Sequence, residues 1–396
     1  FQNIFKIPEL KRRVLFSAGV LTAYRIGAHV PTPGIDGPAL AQFFDQVQGT
    51  LLGMVDLFSG GNLRRLSIFA LGIMPYISAS IILQLLTVVI PTLERLAKEG
   101  EAGRKKITQY TRYGTIVLSA VQALGIAYGL ESMRSPTGVV IVPTPGWGFR
   151  LLTMVTLTAG TALIMWMGEQ ISEKGIGNGI SLIIFAGIVV RLPSAVTASY
   201  TLITTGELKL FVFLVIVAMM VVVTALVVLM QEGPRKIPVQ YAKRVVGRRV
   251  YGGQSTHIPL RINTAGVIPV IFASSLILFP ATLTRFAPHP WMQAFADALS
   301  PGQFTYTILY MGLIVFFAYF YTAIVFNPID LADNMKKYGG FIPGVRPGKK
   351  TAEYIDRTLT RVTLPGASFL ALISVLPDYL IRWFNVPFYF GGTSLL

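Results

Sequence analysis

Cysteine is absent from the 396 residues, and charged residues make up only 13% of them. Without thiols the chain can form neither disulfide bonds nor thiolate metal sites. Hydrophobic residues account for 53% of the sequence, and the mean hydropathy is positive. A soluble domain of this length would carry more charge, so the composition predicts an all-α, multi-pass membrane protein.

Motifs for catalysis and for metal binding are also missing. The histidines His29, His257 and His289 lie in separate segments without the spacing of metal ligands. Neither a His-Glu-x-x-His nor a Gly-x-Ser-x-Gly motif occurs. The glycine-rich stretch Gly175–Gly179 lacks the Lys-Ser/Thr pair of a nucleotide-binding loop, so we interpret it as a tight turn. The sequence therefore predicts no catalytic residue, no cofactor, no metal and no enzymatic activity.

Acidic residues are scarce beside basic ones, with 18 Asp and Glu against 34 Lys and Arg. Most of the basic residues fall in alternate loops on the side of the N-terminus, which the positive-inside rule places in the cytoplasm. Those loops lie between nine apolar runs that we predict to span a bilayer. The runs are Val14–Val30, Ile68–Ile90, Gly114–Leu130, Leu151–Gly168, Ile180–Thr197, Leu210–Met230, Thr264–Leu283, Thr305–Phe326 and Val362–Ile381.

The end of the sequence resembles the entry to one more span, beginning near Val386. Nine spans and this stub suggest ten, arranged as two groups of five related by an inverted repeat. We therefore expect an N-terminal half over residues 1–200 and a C-terminal half over 201–396. No strong internal sequence match supports the repeat directly.

The central parts of the second, fifth and seventh spans contain isoleucines and no ionisable residues. Two interpretations remain open, and simple core packing is one of them. In the other, the side chains converge into a narrow apolar collar that blocks ions by dewetting. The residues concerned are Ile73 and Ile77, Ile180 and Ile184, and Ile268 and Ile271.

Polar residues and prolines in the same spans predict a weaker, movable seam between helices. In the second span Ser80 and Gln84 share a helical face with Ile73 and Ile77. Hydroxyl and amide groups can bond across helices, and proline removes a backbone hydrogen bond. The polar candidates are Ser78, Ser80, Gln84, Asn263, Thr264 and Ser274, and the prolines within spans are Pro75, Pro269 and Pro365.

Two cytoplasmic loops, about 231–262 and 327–361, are too long to be simple turns. We predict a basic hairpin tip around Gly247–Arg249 in the first. The tips could merely enforce topology and attract anionic lipid, or they could dock ribosomal RNA or an acidic protein. Their basic residues are Lys243, Arg244, Arg248, Arg249, Arg346, Lys349 and Lys350.

Several longer motifs, in order along nearly the whole chain, resemble the SecY family, the main subunits of bacterial protein-conducting channels. The motifs are Gly72–Ser80, Gln109–Gly114, Gly168–Ile171, Gly175–Ser181, Ala265–Pro269, Asn327–Pro328, Pro343–Pro347 and Phe388–Ser394. The resemblance implies a ten-helix fold of two pseudosymmetric five-helix halves around an hourglass pore. The chain ends a few residues into the expected tenth helix, which we expect to be truncated.

The resemblance also assigns roles to residues. It implies a pore ring of Ile73, Ile77, Ile180, Ile184 and Ile271, and a plug over about residues 51–66 that includes Met54, Asp56, Phe58, Gly60, Gly61 and Arg64. The polar candidates would line a lateral gate, which releases signal sequences and membrane spans into lipid. The basic loops would dock the SecA motor and the ribosome, SecE would clamp the halves and SecG would be peripheral.

We therefore predict a passive channel in the bacterial plasma membrane that conducts unfolded secretory polypeptides and nascent chains. A small-solute permease is the main alternative on composition alone. An intramembrane enzyme is the third, and it lacks a nucleophile, a metal site and paired intramembrane carboxylates.

Overall fold

The computed structural model describes residues 6–46, 60–133, 138–190, 192–206, 210–241, 244–246, 249–251, 255–283 and 303–384. The first half of the chain forms α1 (Pro8–Gly27), α2 (Gly37–Gln46), α3 (Met74–Val89), α4 (Pro91–Lys98), α5 (Glu101–Ser132), α6 (Trp147–Lys174), α7 (Gly179–Val189) and α8 (Leu192–Thr204). The remainder forms α9 (Leu210–Glu232), β1 (Pro234–Tyr241), β2 (Arg244–Val246), β3 (Arg249–Tyr251), β4 (Ser255–Arg261), α10 (Ile268–Leu283), α11 (Phe304–Val325), α12 (Pro328–Lys337), β5 (Gly340–Phe341) and α13 (Lys349–Phe384).

A helix stands at each of the nine predicted spans. By length and composition, five helical segments of the described residues can cross a bilayer on their own, and a sixth span is possible if a bent pair of helices counts as one. The five are Glu101–Glu131, Trp147–Lys174, Phe211–Glu232, Phe304–Lys337 and Lys349–Leu376. The prediction of a multi-pass helical protein is confirmed.

The second span begins later than predicted. Residues 60–73 form consecutive turns and a single bridge between Pro31 and Ser67, and the helix starts only at Met74. Pro75 therefore lies in the first helical turn, where its missing N–H costs nothing. The predictions of a helix from Ile68 and of Pro75 inside that helix were wrong.

Other breaks in the helices also differ from the predicted spans. Pro269 lies in the first turn of α10 rather than inside it. The fifth span is two helices, α7 and α8, on either side of residue 191. Past Val89 the chain bends by 101° into α4. Pro365 does lie in the interior of α13, as predicted.

The chain packs as two units, one of Phe1–Thr201 with Ser275–Tyr306 and one of Leu202–Ser274 with Thr307–Leu396. In the first unit α5 packs against α3 and α6, and α1 packs against α6 and α7. An apolar cluster, called here the seat cluster, joins α2, residues 63–71, the end of α5, residues 141–142 and the start of α6. Its members are Ala39, Leu40, Phe44, Leu63, Leu66, Ala70, Leu71, Ala123, Ala127, Leu130, Ile141, Val142, Phe149 and Leu157.

In the second unit the two long basic loops fold together. The central strand β1 pairs antiparallel with β4 on one side and with β5 on the other, so strands from both loops form one sheet. Ile237 and Leu260 of this sheet, and Ile342 directly after β5, pack against Met335 of α12 and Ile355 of α13. We call β1, β4, β5, α12 and the first turns of α13 the sheet module.

The sheet module depends on Ile355, which is fully buried at its centre. We expect Ile355→Ala to destabilise the module by roughly 2 to 4 kcal/mol, because the truncation leaves a cavity. Limited trypsin digestion of the purified protein should then cleave faster at the basic residues of β1 and β4. Leu364→Ala is the matched control, since Leu364 lies on the same helix and is 52% exposed; equal digestion of both variants would contradict the assignment.

Candidate functional site

The predicted pore isoleucines lie at or near the starts of three helices. Ile73 precedes α3 and Ile77 lies one turn later, and their side chains are 6% and 9% exposed. Ile180 and Ile184 are half-buried one turn apart on α7, and Ile271 is half-buried on α10. Four of these residues belong to the first unit and Ile271 belongs to the second. The convergence of all five stays a prediction.

The start of α7 is fixed by its own sequence. The Asn178 side-chain oxygen accepts hydrogen bonds from the backbone N–H groups of Ile180 (3.0 Å) and Ser181 (3.2 Å). This cap satisfies donors that a helix start otherwise leaves unpaired. A Cβ on Gly168 would lie 3.0 Å from the Ile180 side chain, so α6 closely approaches the first predicted pore residue of α7.

The predicted plug is described only from Gly60 onward; Met54, Asp56 and Phe58 lie outside the described residues. Gly60 (φ 73°) and Gly61 (φ 84°) adopt backbone conformations that other residues avoid. A Cβ on Gly60 would lie 2.9 Å from the Gly187 Cα, so the chain here touches the backbone of α7. Arg64, which follows, is half-buried and forms interactions of its own.

Buried polar and aromatic contacts anchor the segment that follows. Asn62, 2% exposed, donates from its side chain to the Tyr24 hydroxyl at 3.2 Å. The Tyr24 ring stacks on Phe69 with centroids 5.5 Å apart. Backbone bonds from Thr32 N–H to the Leu66 carbonyl (2.8 Å) and from Ile68 N–H to the Val30 carbonyl (3.0 Å) complete the attachment to the end of α1.

The predicted lateral-gate residues make local hydrogen bonds. On α3 the Gln84 amide donates to the Ser80 hydroxyl at 3.3 Å, and Ser78 is half-buried nearby. On α10 the Ser274 hydroxyl donates to the Val270 carbonyl (2.8 Å) and lies 3.0 Å from the Tyr310 hydroxyl of α11.

The two polar residues before α10 complete this set. The Thr264 hydroxyl donates to the Arg261 carbonyl at 2.9 Å, and Asn263 is half-buried. The Gln84 side-chain oxygen and the Ser275 hydroxyl are buried and have no hydrogen-bond partner among the described residues. These local bonds leave the predicted seam between the two sets of helices as a prediction.

Three of the predicted docking residues, all in the second basic loop, are exposed. Arg346, Lys349 and Lys350 lie at the turn before α13, and Lys350 pairs with Glu353 at 3.1 Å. In the other loop β2 pairs with β3, with Val246 opposite Arg249, which confirms the predicted hairpin. Lys243 and Arg248 lie outside the described residues.

Sequence reasoning missed two ion pairs between α5 and α6. Arg112 donates from Nε to Glu169 at 2.8 Å at one end of the helices, and Arg150 donates to Glu131 at 2.6 Å at the other. Arg112 and Glu169 lie in two of the motifs noted above, which was the available signal. Glu131 and Arg150 lie in no such motif.

Sites typical of enzymes are not found in the part of the chain that the structure describes. No three His, Asp or Glu residues there come together as metal ligands. An open groove of about 920 Å³ runs along α9, and its lining from Val217 to Gly233 is almost wholly apolar. Such a surface suits hydrocarbon better than a polar substrate.

Comparison with known proteins decides the family. The SecY family model matches residues 67–396. The chain belongs to the SecY family. The chain is 54% identical over 394 residues to the protein translocase subunit SecY of Escherichia coli K12, covering 98% of this chain and 88% of that protein. It is 48% identical to the Aquifex aeolicus SecY, covering 99% and 92%.

Solved structures of SecY-type channels share the fold. One, described as a protein-conducting channel, matches with a TM-score of 0.64 at 19% identity and covers 95% of this chain and 90% of its own. Another, described for the plug domain of SecY, matches with a TM-score of 0.65 at 20% identity and covers 99% and 92%. The SecY family is one of protein-conducting channels and not of enzymes, and the predicted SecY-type fold is confirmed.

Substitution of Gly60 tests its contact with α7. Gly60→Ala should lower the free energy of unfolding by about 1 to 2 kcal/mol for the left-handed backbone and by about 1 to 3 kcal/mol more for the collision with Gly187. Gly177→Ala is the matched control, because Gly177 has a similar φ of 64° and a Cβ added there would meet no atom within 4 Å. Thermal unfolding in detergent should separate the two variants; coincident midpoints would rule the contact out.

Proposed function

We propose that this chain forms the polypeptide-conducting pore of a bacterial protein translocase. The observation that carries the proposal is the 54% identity, over almost the whole chain, to a relative named as a translocase subunit. The geometry supports it: two buried isoleucines, Ile73 and Ile77, stand where the anchored segment 60–73 enters α3.

In this proposal the polypeptide meets three elements of the channel: a plug, a ring and a lateral gate. Residues 51–66 act as the plug, the five isoleucines form the ring around the passing chain, and the polar residues of α3 and α10 line a lateral gate for signal sequences and membrane spans. Branched, stiff side chains suit a ring that excludes ions yet yields to a chain.

The energy for transport comes from partners, in keeping with the lack of a nucleotide-binding loop in the sequence. The exposed cations Arg346, Lys349 and Lys350 suit phosphate or carboxylate surfaces. We assign the basic residues of both loops to docking of SecA or of ribosomal RNA and proteins. A matching structure described as canine Sec61 in a ribosome-channel complex supports a ribosomal partner. SecE and SecG complete the assembly, and anionic lipids surround it.

Charge supports the orientation that we propose. Basic loops lie on the side of the N-terminus, so we place the N-terminus and the sheet module in the cytoplasm. The bacterial relatives named as translocase subunits support the bacterial plasma membrane as the location. The sheet module is thereby the first part of the chain that a cytoplasmic partner meets.

Crosslinking tests the pore directly, and the absence of native cysteine makes it clean. With Ile77→Cys, a secretory protein carrying a single cysteine should form a disulfide during transport by the reconstituted translocase, and only with ATP and a signal sequence. The matched control is Ile82→Cys, at a residue on the same helix that is 45% exposed and points to another face. Crosslinks at residue 82 alone, or saturable uptake of a small solute without a motor, would refute the proposal.

Charge reversal tests the docking surface. Arg346→Glu should reduce SecA-driven transport at least about tenfold, since an exposed cation in a docking patch becomes a repulsive anion. Lys11→Glu makes the same charge change at an exposed residue of α1 outside the proposed docking set, so we expect it to leave transport within about twofold. Normal transport by the Arg346 variant would remove that residue from the docking surface.

A further inference from the structure

The Glu131–Arg150 ion pair joins the last turn of α5 to the first turn of α6. Arg150 donates from Nε to both carboxylate oxygens (3.1 and 3.0 Å) and from Nη2 to Oε2 at 2.6 Å. The side chains are only 20% and 10% exposed. This fork geometry fixes orientation as well as distance, unlike a flexible surface pair.

Three further contacts leave the pair little freedom. The Gly146 backbone N–H donates to Glu131 Oε1 at 2.9 Å, which ties the loop before α6 to the same carboxylate. The Arg150 guanidinium lies 3.8 Å from the centre of the Tyr128 ring and 5.3 Å from that of Trp147. One carboxylate thus holds the helix end, the loop and the next helix together.

The immediate neighbours of both charged residues enter the seat cluster. Leu130 precedes Glu131 and Phe149 precedes Arg150, and both are members of that cluster. The loop between the helices contributes Ile141 and Val142, which are fully buried. The ion pair therefore lies at the edge of the seat cluster, next to the α5–α6 loop.

The other side of the seat cluster is the segment 60–73. Leu63, Leu66, Ala70 and Leu71 of this segment pack in it, two residues before Ile73. The segment contains no helix of its own, so its position depends on these apolar contacts and on the bonds to Tyr24, Val30 and Thr32. Breaking the ion pair would weaken the packing of the seat cluster, and with it the apolar contacts that hold segment 60–73 and Ile73 in position.

We propose that Glu131 and Arg150 are positioning residues that fix the segment 60–73, and through it Ile73 and the start of α3, in the resting channel. The inference rests on the function proposed above, which supplies the role of Ile73. The pair touches no passing polypeptide. The ion pair keeps the seat cluster packed while no polypeptide occupies the pore.

Amide hydrogen exchange in the intact translocase measures this positioning without reference to transport. In Glu131→Gln and Arg150→Gln we expect the N–H groups of Leu66, Ser67 and Ile68 to exchange about tenfold faster, because their opening becomes easier. Arg150→Lys keeps the charge but loses the fork, and we expect an intermediate exchange rate. It also covers the case in which the glutamine variants fail to fold.

Ion leak supplies the functional readout. Without substrate, Glu131→Gln vesicles should leak anions at least about threefold faster than the parent, while transport of a protein with an intact signal sequence stays within about twofold. Glu101→Gln is the control, since Glu101 pairs with Lys105 at 3.3 Å on the same helix but is 86% exposed. That variant should match the parent in exchange and leak.

The outcomes separate the two proposals. Parental exchange rates at residues 66–68 in both glutamine variants would overturn the positioning role even if transport works as proposed. Equal increases in exchange across the sheet module would also overturn it, since they would show general destabilisation. If the parent conducts no polypeptide, the proposed function fails whatever the exchange rates are.

Discussion

A non-helical backbone between apolar helices must have its N–H and C=O groups satisfied by protein, because hydrocarbon cannot satisfy them. Residues 60–73 meet this constraint through bonds to the end of α1 and through turns of their own. The first unit is built around that requirement. The Tyr24–Asn62 hydrogen bond and the contact of Gly60 with Gly187 both help to bury residues 60–73, whose backbone could not face lipid.

The same constraint explains why two prolines were misplaced by sequence reasoning. Hydropathy marks a long apolar run, but it does not distinguish a helix from a buried turn of equal apolarity. Ile68 to Ile73 are as apolar as the helix that follows, yet the bonds that decide their conformation come from residues 30–32. Pro75 and Pro269, when seen as helix starts, indicate that both helices begin later than the apolar runs do.

Other features were predictable or unpredictable for clear physical reasons. The helices at the nine runs follow from composition, and the β2–β3 hairpin follows from local β-branched residues around a glycine. The union of β1 with β5 joins residues about a hundred positions apart, and only the shared core of Ile237, Ile342 and Ile355 makes it favourable. Likewise Glu131 and Arg150 can pair only when α5 and α6 pack as antiparallel neighbours, and no motif in the sequence predicts that packing.

Helix α13 has a mechanical consequence. Its 36 residues form a continuous rod about 54 Å long at 1.5 Å per residue, starting beside the basic turn at Arg346 and ending in the apolar region. A force on that turn would be transmitted along the continuous helix. The helix is interrupted at Pro365, which lacks one backbone hydrogen bond, and the next residue, Gly366, lies against the Ile262 carbonyl. A force applied at that turn would therefore reach the residues beyond 365 through the one turn of α13 in which Pro365 interrupts the backbone hydrogen bonding.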